Sequence, residues 1–445
     1  MNTHGFDFVD LFAGIGGFHH ALAAEGGRCV LAVERDADCQ QVYRHTFKGT
    51  RLDGDIRAIT CDADGSDRPK TEVGQLVPDH DVLCAGFPCQ PFSKSGHQHG
   101  VRDRTRGTLF HDVMTIVMAK RPKFVMLENV RNLAGPRHRA TWGDIIDSLV
   151  SEGYLVSREP LVLSPHRLSP RDGGAPQVRD RVFILAYRPG GPHDADAGPL
   201  LPRDMSPGWD PDDWCIDDYL EDDTDIDGLD RYRLRGAELA WVEAWQAFVQ
   251  RIESDHLPGF PIWVDAFRAT PRIPEGTPAW KANFLEKNSA FYNQHKPVID
   301  SWLAEPWGEE GLTVEDFPAS RRKFEWQARK AQPTRSDRDL RRLVLQLRPS
   351  GIRVKAATYL PALVAITQTS VIGSRMRRIT PREAARLQGL PPDVFSKAGV
   401  GNEAAYKQLG NAVNVGVVRA AAQALFAAGQ APWLTEGTPG LKLVV

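Results

Sequence analysis

The residue of this sequence best suited to covalent chemistry is a cysteine between two prolines. Cys89 lies in the segment Gly-Phe-Pro-Cys-Gln-Pro-Phe-Ser, directly after a predicted strand over residues 82–85. Pro88 and Pro91 restrict the backbone on both sides of Cys89 and so limit the direction of its side chain. A thiolate is a strong nucleophile, but many free cysteines are inert buried residues. The cysteine alone therefore leaves a nucleophile and a structural residue both open.

Three charged side chains near other predicted strands could work together with this thiol. Glu128 follows a predicted strand over residues 124–127, whereas Arg179 and Arg181 precede one over residues 182–185. The carboxyl ends of strands in an open α/β sheet are where ligands bind. Glu128 is either a structural cap or a carboxylate placed for proton transfer. The arginines either pair with acids of the fold or lower the pKa of the thiol.

A nucleophile, an acid and two cations together suit methylation at C5 of a pyrimidine. Addition of a thiolate to C6 would break the conjugation of the ring, and an acid at N3 would stabilise the charge that develops. Because C6 is stacked inside a duplex, the base has to be rotated out at a cost of a few kcal/mol. The polar, basic segment 97–107 (HQHGVRDRTRG) is typical of a loop that contacts phosphates and closes over a substrate.

A second motif indicates a nucleotide-type cofactor. The glycine-rich segment 10–18 (DLFAGIGGF) follows a predicted strand and opens a predicted helix. Glycines at such a turn let the backbone approach a ligand closely. Glu34 ends the next predicted strand and could hold a ribose hydroxyl, and Asp55 could accept a hydrogen bond from an adenine amino group. These residues leave a structural turn, a dinucleotide and S-adenosylmethionine open.

The elements that would position these residues alternate between short apolar runs and amphipathic stretches from Asp7 to about Arg188. This alternation predicts an open α/β sheet covered by helices. The apolar runs have the length and β-branched content of buried parallel strands, and they cover residues 8–11, 29–33, 82–85, 124–127 and 182–185. Helices are predicted over residues 111–120, 380–390 and 413 to about 427, the second with a capping box from Thr380 to Glu383.

The chain changes character after about Pro189, and the weak periodicity there predicts a second domain of irregular structure. Residues 204–230 contain twelve acidic side chains and no Lys or Arg. Residues 321–355 contain twelve basic side chains against three acidic ones, an excess that would suit a phosphate backbone or a solvated helical face.

Length and composition restrict the class of protein. A chain of 445 residues favours two domains. The sequence lacks a secretory signal pattern and an apolar run of membrane-spanning length, so we expect a cytoplasmic protein without membrane partners. None of the six cysteines forms a CxxC pair, so zinc is not expected. A disulfide framework is not expected in a cytoplasmic protein of this size.

The combination of motifs resembles the DNA cytosine-5 methyltransferase family of bacterial modification systems. The family's motifs occur in order within about residues 7–188 and 370–428: DLFAGIGGF from Asp10, Glu34, GDI from Gly54, GFPCQPFS from Gly86, GTLF from Gly107, ENV from Glu128, QVRDR from Gln177, RRITPREAARLQGLP from Arg377, and QLGNAV from Gln408.

The resemblance implies specific roles. Cys89 would be the nucleophile, Glu128 would face N3 and the exocyclic amine of cytosine, and Arg179 and Arg181 would support the cytosine and the reacting groups. S-adenosylmethionine would lie against a larger set, namely Phe12, Gly14, Gly16, Gly17, Glu34, Asp55, Ile56, Phe87, Leu109 and Asn411. Arg35 departs from the family, which often has an apolar or aromatic residue after the glutamate.

The resemblance also implies a Rossmann-like methyltransferase sheet with a second, irregular target recognition domain. We expect the catalytic and cofactor domain over residues 1–188, completed by 405–430, and the recognition domain over 189–404, with a variable region at about 189–370. The expected partners are double-stranded DNA and a cognate restriction endonuclease, and a monomer is expected. DNA contacts are predicted for Gln90 and Ser93, and for Arg348, Arg353 and Lys355 in a DNA-facing loop.

Other classes explain less of the sequence. An RNA methyltransferase would share the Pro-Cys and Glu-Asn-Val motifs, but the long variable region favours duplex DNA. A dinucleotide-dependent oxidoreductase would leave Cys89 and Glu128 without a role, and a non-catalytic DNA-binding module would not need an intact nucleophile. Methylation of an exocyclic amine uses an Asp/Asn-Pro-Pro-Tyr/Phe segment, which the sequence lacks.

Overall fold

A computed structural model describes residues 5–88, 108–189, 205–254, 256–363 and 369–431. The chain divides into two compact units, of which the first combines Met1–Trp214 with Ala384–Val445 and the second is Cys215–Glu383. No helix in the described ranges is long and apolar enough to cross a bilayer.

The first unit is built on an eight-stranded sheet with the order β3-β2-β1-β4-β5-β8-β6, in which β7 pairs with β8. Its first five strands are parallel to one another, as the alternation of apolar runs and helices predicts. The strands are β1 Phe6–Leu11, β2 Gly27–Val33, β3 Leu52–Asp53, β4 Val82–Ala85, β5 Phe124–Val130, β6 Leu155–Val156, β7 Leu161–Leu163 and β8 Arg181–Tyr187.

The direction of one strand differs from the prediction. The run over residues 182–185 is predicted as a parallel strand, but β8 is antiparallel to β5, with Glu128 opposite Phe183 and Val130 opposite Arg181. Apolar content does not encode strand direction, which explains the error. Because β8 is antiparallel, its beginning lies beside the carboxyl end of β5, and Arg181 is brought to the edge where Glu128 lies.

Helices follow the strands, and the three predicted helices are confirmed within the described ranges. Their bounds are α1 Gly17–Ala24, α2 Ala37–Thr46, α3 Arg57–Thr60, α4 Lys70–Leu76, α5 Leu109–Lys120, α6 Arg139–Ser151, α7 Ala237–Arg251, α8 Ala279–Ala304, α9 Pro381–Leu387, α10 Val394–Lys397, α11 Asn402–Asn411 and α12 Val415–Ala428. The predicted capping box is present before α9, where Thr380 N donates to the Glu383 carboxylate (2.7 Å) and Glu383 N donates to Thr380 Oγ1 (3.1 Å).

The second unit is more regular than its sequence predicts. It contains a six-stranded sheet of order β14-β13-β11-β12-β10-β9 together with α7 and the long helix α8. The strands are β9 Ile262–Trp263, β10 Lys323–Gln327, β11 Leu343–Arg348, β12 Gly351–Ala356, β13 Val371–Ile372 and β14 Arg377–Arg378. Pro297 within α8 follows a non-helical residue at His295, and such a kink interrupts the periodicity that predicts a helix.

Two tryptophans lie at the centre of the second unit's core. Trp245 and Trp302 are completely buried and pack against each other, with ring centroids 5.1 Å apart. Trp245 also stacks on Phe324 of β10, with centroids 4.5 Å apart. Aromatic side chains bury more area than other residues and provide much of the driving force for a small core.

The acidic stretch 204–230 has a structural role that its sequence does not reveal. An acidic run of this kind is expected to face solvent or a partner, but Glu221 and Asp223 bind arginines of the segment around α9. Asp223 Oδ1 accepts from the buried Arg377 Nε (2.8 Å), and Glu221 Oε1 accepts from Arg382 Nε (2.8 Å). Arg377 also pairs with the equally buried Glu383 at 2.8 Å. These two acids therefore stabilise the second unit from within.

Candidate active site

Glu128 and Arg181 meet at the carboxyl edge of the parallel strands. Arg181 Nε lies 2.9 Å from Glu128 Oε1, and the Glu128 side chain is only 12% exposed. Burial raises the pKa of Glu128 above that of an ordinary glutamate, while the charges of Arg181 and Arg179 act in the opposite direction. A carboxyl group of this kind remains protonated to a higher pH than an exposed one, as a proton donor requires.

The turn that carries the cysteine motif begins against this carboxylate. A Cβ atom on Gly86 would lie 3.3 Å from Glu128 Oε2, so the backbone directly after β4 passes close to the acid. The described part of this turn ends at Pro88, and Cys89, Gln90 and Ser93 lie outside the described residues. Their predicted roles as nucleophile and DNA contacts remain predictions.

Asn129 is a buried residue next to the acid to which the sequence analysis assigned no role. Its Nδ2 donates to the main-chain oxygen of Phe87 at 2.8 Å, and its Oδ1 accepts from Val130 N at 2.8 Å. The side chain is 4% exposed. Asn129 therefore ties the end of β5 to the turn two residues before Cys89. Its place directly after the acid in Glu-Asn-Val was the available signal.

Arg179 is buried, and its guanidinium contacts the main chain at the end of α11. Its guanidinium donates to the main-chain oxygens of Gly410 (2.9 Å) and Ala412. Burial lowers the pKa of Arg179 to about 9, and the charge of Arg181 acts in the same direction. Arg179 thus fastens the end of α11 and the residue that follows it to the start of β8. Direct support of a cytosine by Arg179 remains a prediction, whereas Arg181 is the arginine in contact with Glu128.

A buried pair of glutamines reinforces the same connection. Gln388 Nε2 donates to Gln177 Oε1 at 2.5 Å, and both side chains are fully buried. Val415 N donates to the main-chain oxygen of Gln388 at 2.9 Å, and Asn414 Nδ2 donates to Leu387 O at 2.9 Å. The segments around Gln177, Gln388 and Asn414, which belong to or adjoin three motifs far apart in the sequence, therefore meet in the first unit.

The glycine-rich turn after β1 has a backbone conformation with positive φ angles, which few residues other than glycine adopt. Phe12, Gly14 and Gly16 have positive φ angles of 58°, 54° and 87°. Gly14 N donates to Glu34 Oε2 (2.8 Å), and Asp36 N donates to Glu34 Oε1 (2.6 Å). Each carboxylate oxygen has a second lone pair. Glu34 is therefore held by the turn with acceptor capacity left for a hydroxyl group.

The apolar residues predicted for the cofactor site lie in one cluster. Ile56 and Phe87 are buried members of the core cluster of the first unit, and Phe12 and Leu109 pack against it. Asp55 lies next to Ile56, where its Oδ1 accepts from Arg57 N at 3.0 Å. The side chains of Arg35 and Asn411 are exposed, so Arg35 does not occupy an apolar position beside this cluster.

Gly17 is predicted as a cofactor residue, but the structure gives it a packing role. A Cβ on Gly17 would lie 2.8 Å from the main-chain oxygen of Val413 and 2.6 Å from its Cγ1. Gly17 thus lets α1 approach the segment before α12. A cofactor contact at Gly17 remains a prediction.

Asp10 is a buried acid whose environment could not be predicted from the sequence. It is completely buried at the end of β1, next to Cys84 of β4. Burial raises the pKa of Asp10 to about 8, although the Cys84 thiol acts in the opposite direction. Asp10 is therefore largely uncharged at neutral pH, directly before the glycine-rich turn.

The predicted DNA-binding cations Arg348, Arg353 and Lys355 lie in the second unit. They are predicted in a loop, but they belong to the antiparallel strands β11 and β12, which are joined by a two-residue turn. Pro349 and Ser350 at this turn obscure the strand pattern in the sequence.

The parallel strand order β3-β2-β1-β4-β5, the antiparallel β8 and the glycine-rich turn define a Rossmann-like methyltransferase fold. The model of the C-5 cytosine-specific DNA methylase family matches residues 6–229 and 266–427. The chain belongs to this family and is a DNA cytosine-5 methyltransferase, which confirms the predicted fold class, family and enzyme class.

The similarity to one curated relative extends over nearly the whole chain. Type II methyltransferase M.AluI of Cellulosimicrobium cellulans is 41% identical over 495 residues, which cover 93% of this chain and 90% of the relative. Type II methyltransferase M.HhaI of Haemophilus parahaemolyticus is 41% identical over 185 residues, which cover 41% of this chain and 50% of the relative. Among solved structures, S. pombe Dnmt2 methyltransferase matches with a TM-score of 0.49 and 15% identity, over 95% of this chain and 98% of that one.

Proposed function

We propose that this protein methylates C5 of a specific cytosine in double-stranded DNA with S-adenosylmethionine, as the modification enzyme of a restriction-modification system. The observation that carries the proposal is the pairing of Glu128 with Arg181 beside the turn that leads to Cys89. The family assignment supports the DNA substrate. The relative M.AluI carries the description Type II methyltransferase, which supports the link to a restriction endonuclease.

The residues at the glycine-rich turn fit S-adenosylmethionine. The positive φ angles of Phe12, Gly14 and Gly16 form a tight turn, and a Cβ on Gly14 would meet no atom within 4 Å, so the backbone is open there. Glu34 would hold the ribose hydroxyls. An adenine ring would find apolar cover near Ile56 and an acceptor at Asp55. When bound, this cofactor supplies an electrophilic methyl group on a sulfonium.

In the proposed reaction the Cys89 thiolate adds to C6 of a cytosine that has been rotated out of the duplex. Protonated Glu128 donates its proton towards N3. This neutralises the negative charge that would otherwise develop on the ring as the C5–C6 double bond opens. C5 would then form the new bond to the methyl carbon while the methyl–sulfonium bond breaks and its electron pair stays on the sulfur of the departing thioether. Transfer of the C5 proton to a water molecule would restore the C5–C6 double bond and expel Cys89 as a thiolate, and the N3 proton would return to Glu128.

Arg181 and Asn129 have positioning roles in this proposal. Arg181 holds one oxygen of Glu128 and limits how far burial raises the pKa of the acid. Asn129 fixes the Phe87 carbonyl and with it the start of the Pro-Cys turn. Because Glu128 and the start of the Pro-Cys turn are both held in place, less entropy is lost when Glu128 and Cys89 are aligned with the cytosine ring.

The proposal is tested with Cys89→Ser and the control Cys215→Ser, which changes an exposed thiol of the second unit. The substrate is unmethylated duplex DNA of several kilobases made by PCR, and methyl transfer is followed with tritiated S-adenosylmethionine. Cys89→Ser should bind the cofactor and transfer no methyl groups, while Cys215→Ser should retain the wild-type rate. Substantial transfer by Cys89→Ser would rule out the covalent route.

Bisulfite sequencing of the wild-type product identifies the base and the sequence that are modified. The proposal expects 5-methylcytosine within one short sequence. Methylation of tRNA with none of DNA would instead favour an RNA methyltransferase of the same architecture.

A further inference from the structure

The first turn of α5 carries a buried acid that the proposed reaction does not use. Asp112 is 4% exposed, and it is the acidic residue in this turn. An acid near the start of a helix favours the helix dipole whether it is exposed or buried. A buried carboxyl group without hydrogen bonds costs free energy, so its partners indicate what the burial serves. The side-chain partners of Asp112 lie on α3 and directly after it.

The strongest of these contacts joins Asp112 to the last residue of α3. Thr60 Oγ1 donates to Asp112 Oδ1 at 2.6 Å, and Thr60 is 1% exposed. A hydroxyl group has one hydrogen. The other acceptor near this hydroxyl is Ile56 O at 3.2 Å, which already accepts from Thr60 N at 3.1 Å. The hydroxyl hydrogen of Thr60 is therefore available to Asp112. Arg57 Nε lies 3.7 Å from the other oxygen of the acid.

The residues predicted to contact the adenine ring lie at the opposite end of α3. Asp55 and Ile56 directly precede this helix, and Asp55 Oδ1 accepts from Arg57 N at 3.0 Å. Because α3 has only four residues, Thr60 lies one turn from Ile56. A contact that fixes Thr60 therefore also fixes the position of Asp55 and Ile56.

The segment that follows α3 is fastened as well. The Arg68 guanidinium donates to Ile59 O (3.1 Å) and Cys61 O (2.8 Å), which holds the carboxyl end of α3. His111 Nε2, on α5, lies 3.3 Å from Asp67 Oδ2. These contacts hold α3 and the residues after it against the start of α5.

The first residues of α5 belong to the opposite wall of the predicted cofactor site. Leu109 begins this helix and packs against the core cluster that contains Ile56 and Phe87. Phe110 packs on Phe87, with ring centroids 5.7 Å apart. Asp112 lies in the same turn of α5. It therefore joins the helix that begins with Leu109 to the segment that carries Ile56.

We propose that Asp112 is a positioning residue for the S-adenosylmethionine site and that it acts through Thr60. Their contact keeps the segment with Asp55 and Ile56 at a fixed distance from Leu109. The inference rests on the proposed function and adds to it a residue that does not itself touch the cofactor. A site whose walls are already in place loses less free energy on binding than a site that has to be ordered.

The affinity of the full-length chain for S-adenosylmethionine tests this role. Isothermal titration calorimetry measures it without DNA and without turnover. Thr60→Val removes the hydroxyl and keeps the shape of the side chain, so the Kd should rise about tenfold, as for one lost hydrogen bond to a charged group. Asp112→Ala should weaken binding by at least as much. Thr60→Ser keeps a hydroxyl and should bind the cofactor as the wild type does.

Thr115→Val is the matched control, because it makes the same exchange on α5 itself. Thr115 is 5% exposed, and its Oγ1 donates to His111 O within the helix at 3.0 Å. This variant should keep the wild-type Kd. In the double variant of Thr60→Val and Asp112→Ala, the rise in Kd should be well below the product of the two single effects, because one contact is lost only once.

The kinetics separate positioning from a general loss of structure. In Thr60→Val the KM for S-adenosylmethionine should rise about tenfold, while kcat at saturating cofactor stays at the wild-type value. The reacting groups are unchanged in this variant, so a chain that has bound the cofactor should turn over normally. A decrease in kcat with an unchanged KM would contradict the positioning role.

An unchanged Kd in Thr60→Val and Asp112→Ala would overturn the proposal, as would an equal rise in Thr115→Val or a double variant whose effect equals the product. A lower Tm with an unchanged Kd would show that the contact only stabilises the fold. Failure of the wild-type chain to bind S-adenosylmethionine, or to modify any DNA, would instead contradict the proposed function, so the two failures are distinguishable.

Discussion

The properties of Glu128 result from two opposing influences on one carboxyl group. Burial at the end of β5 favours the protonated form, and the Arg181 guanidinium at 2.9 Å favours the ionised form. Burial keeps the carboxyl group protonated, as a proton donor requires, and the contact with Arg181 fixes its orientation. We infer that the pairing with Arg181 limits how far burial raises the pKa of Glu128.

Arg181→Gln should change the pH profile in a direction that follows from this balance. Arg181 lowers the pKa of Glu128, so its removal should raise that pKa and move the alkaline limb of kcat/KM to higher pH. The turnover rate should fall as well, because the acid loses its orientation. The measurement is kcat/KM for methyl transfer as a function of pH.

Arg131→Gln is the matched control for this profile. Arg131 pairs with Asp180 at 2.7 Å on the surface and makes no ion pair with Glu128 in the described structure. Its profile should match that of the wild type. An alkaline limb that moves to lower pH in Arg181→Gln would contradict the role assigned to Arg181.

The chemistry of single residues was only partly predictable from the sequence. Glu128 and Arg181 could be named because each lies beside an apolar run, and the structure brings them into contact. Arg179 could be named, but its contacts with main-chain oxygens depend on a segment more than 200 residues away. The raised pKa of Asp10 results from burial, which no local pattern encodes.

At the scale of elements, glycines set how closely segments of the first unit approach. Gly416, in the first turn of α12, packs against Gly173, and a Cβ on Gly416 would lie 1.7 Å from Gly173 O. A backbone atom cannot move aside as a flexible side chain can. This close approach helps to fasten α12 to the loop before β8.

Gly416→Ala should therefore reduce the free energy of unfolding by at least about 3 kcal/mol, as severe overpacking does. Gly143→Ala is the contrasting control, because Gly143 lies within α6 and a Cβ added there would meet no atom within 4 Å. That variant should gain about 1 kcal/mol from helix propensity. Thermal unfolding by circular dichroism measures both, and equal stability of the two variants would contradict the packing argument.

The ion pairs around Arg377 link the acidic stretch to the segment that leads into α9. Arg377 and Glu383 are both fully buried, and Asp223 approaches from the acidic stretch. Arg377→Ala would leave the buried Glu383 without its cation and would remove the shorter arginine contact of Asp223. The variant should lose about 3–5 kcal/mol of unfolding free energy.

Arg375→Ala is the matched control, since Arg375 lies 3.8 Å from the same Asp223 but is 33% exposed. Its loss should stay below about 1 kcal/mol. Urea unfolding followed by tryptophan fluorescence reports on this unit, whose core contains Trp245 and Trp302. A loss for Arg377→Ala as small as that for Arg375→Ala would contradict the stabilising role.

Element types were predictable where periodicity is strong. The strands over residues 8–11, 29–33, 82–85 and 124–127 and the helices α5, α9 and α12 agree with their patterns. The direction of β8 was not predictable, because it depends on pairing with β5 rather than on local composition. The β11–β12 hairpin was mistaken for a loop because Pro349 and Ser350 interrupt an otherwise alternating run.

At the scale of the whole molecule, distant parts of the sequence combine in one unit. The described residues after 384 belong with the first unit, and Arg179, Gln177 and Gly17 make the contacts that hold them there. The resemblance to the family predicts that residues 405–430 complete the first domain, and these domain bounds remain a prediction. The internal structure of the second unit was less predictable, because the aromatic and aliphatic residues of its core come from many segments without a regular spacing.

The central claim is that Cys89 adds to C6 of a flipped cytosine while Glu128 supports the ring. The most direct test uses duplex DNA made by PCR with 5-fluorocytosine in place of every cytosine, so that no knowledge of the target sequence is needed. Fluorine cannot leave C5 as a proton does, so the enzyme should remain bound covalently when S-adenosylmethionine is present.

Denaturing electrophoresis detects the complex, and mass spectrometry of the digested complex identifies the peptide that carries the base. The account predicts a stable adduct on Cys89 that is absent from Cys89→Ser and present in Cys215→Ser. Methyl transfer to ordinary DNA without an adduct on 5-fluorocytosine DNA, or an adduct on another residue, would contradict it.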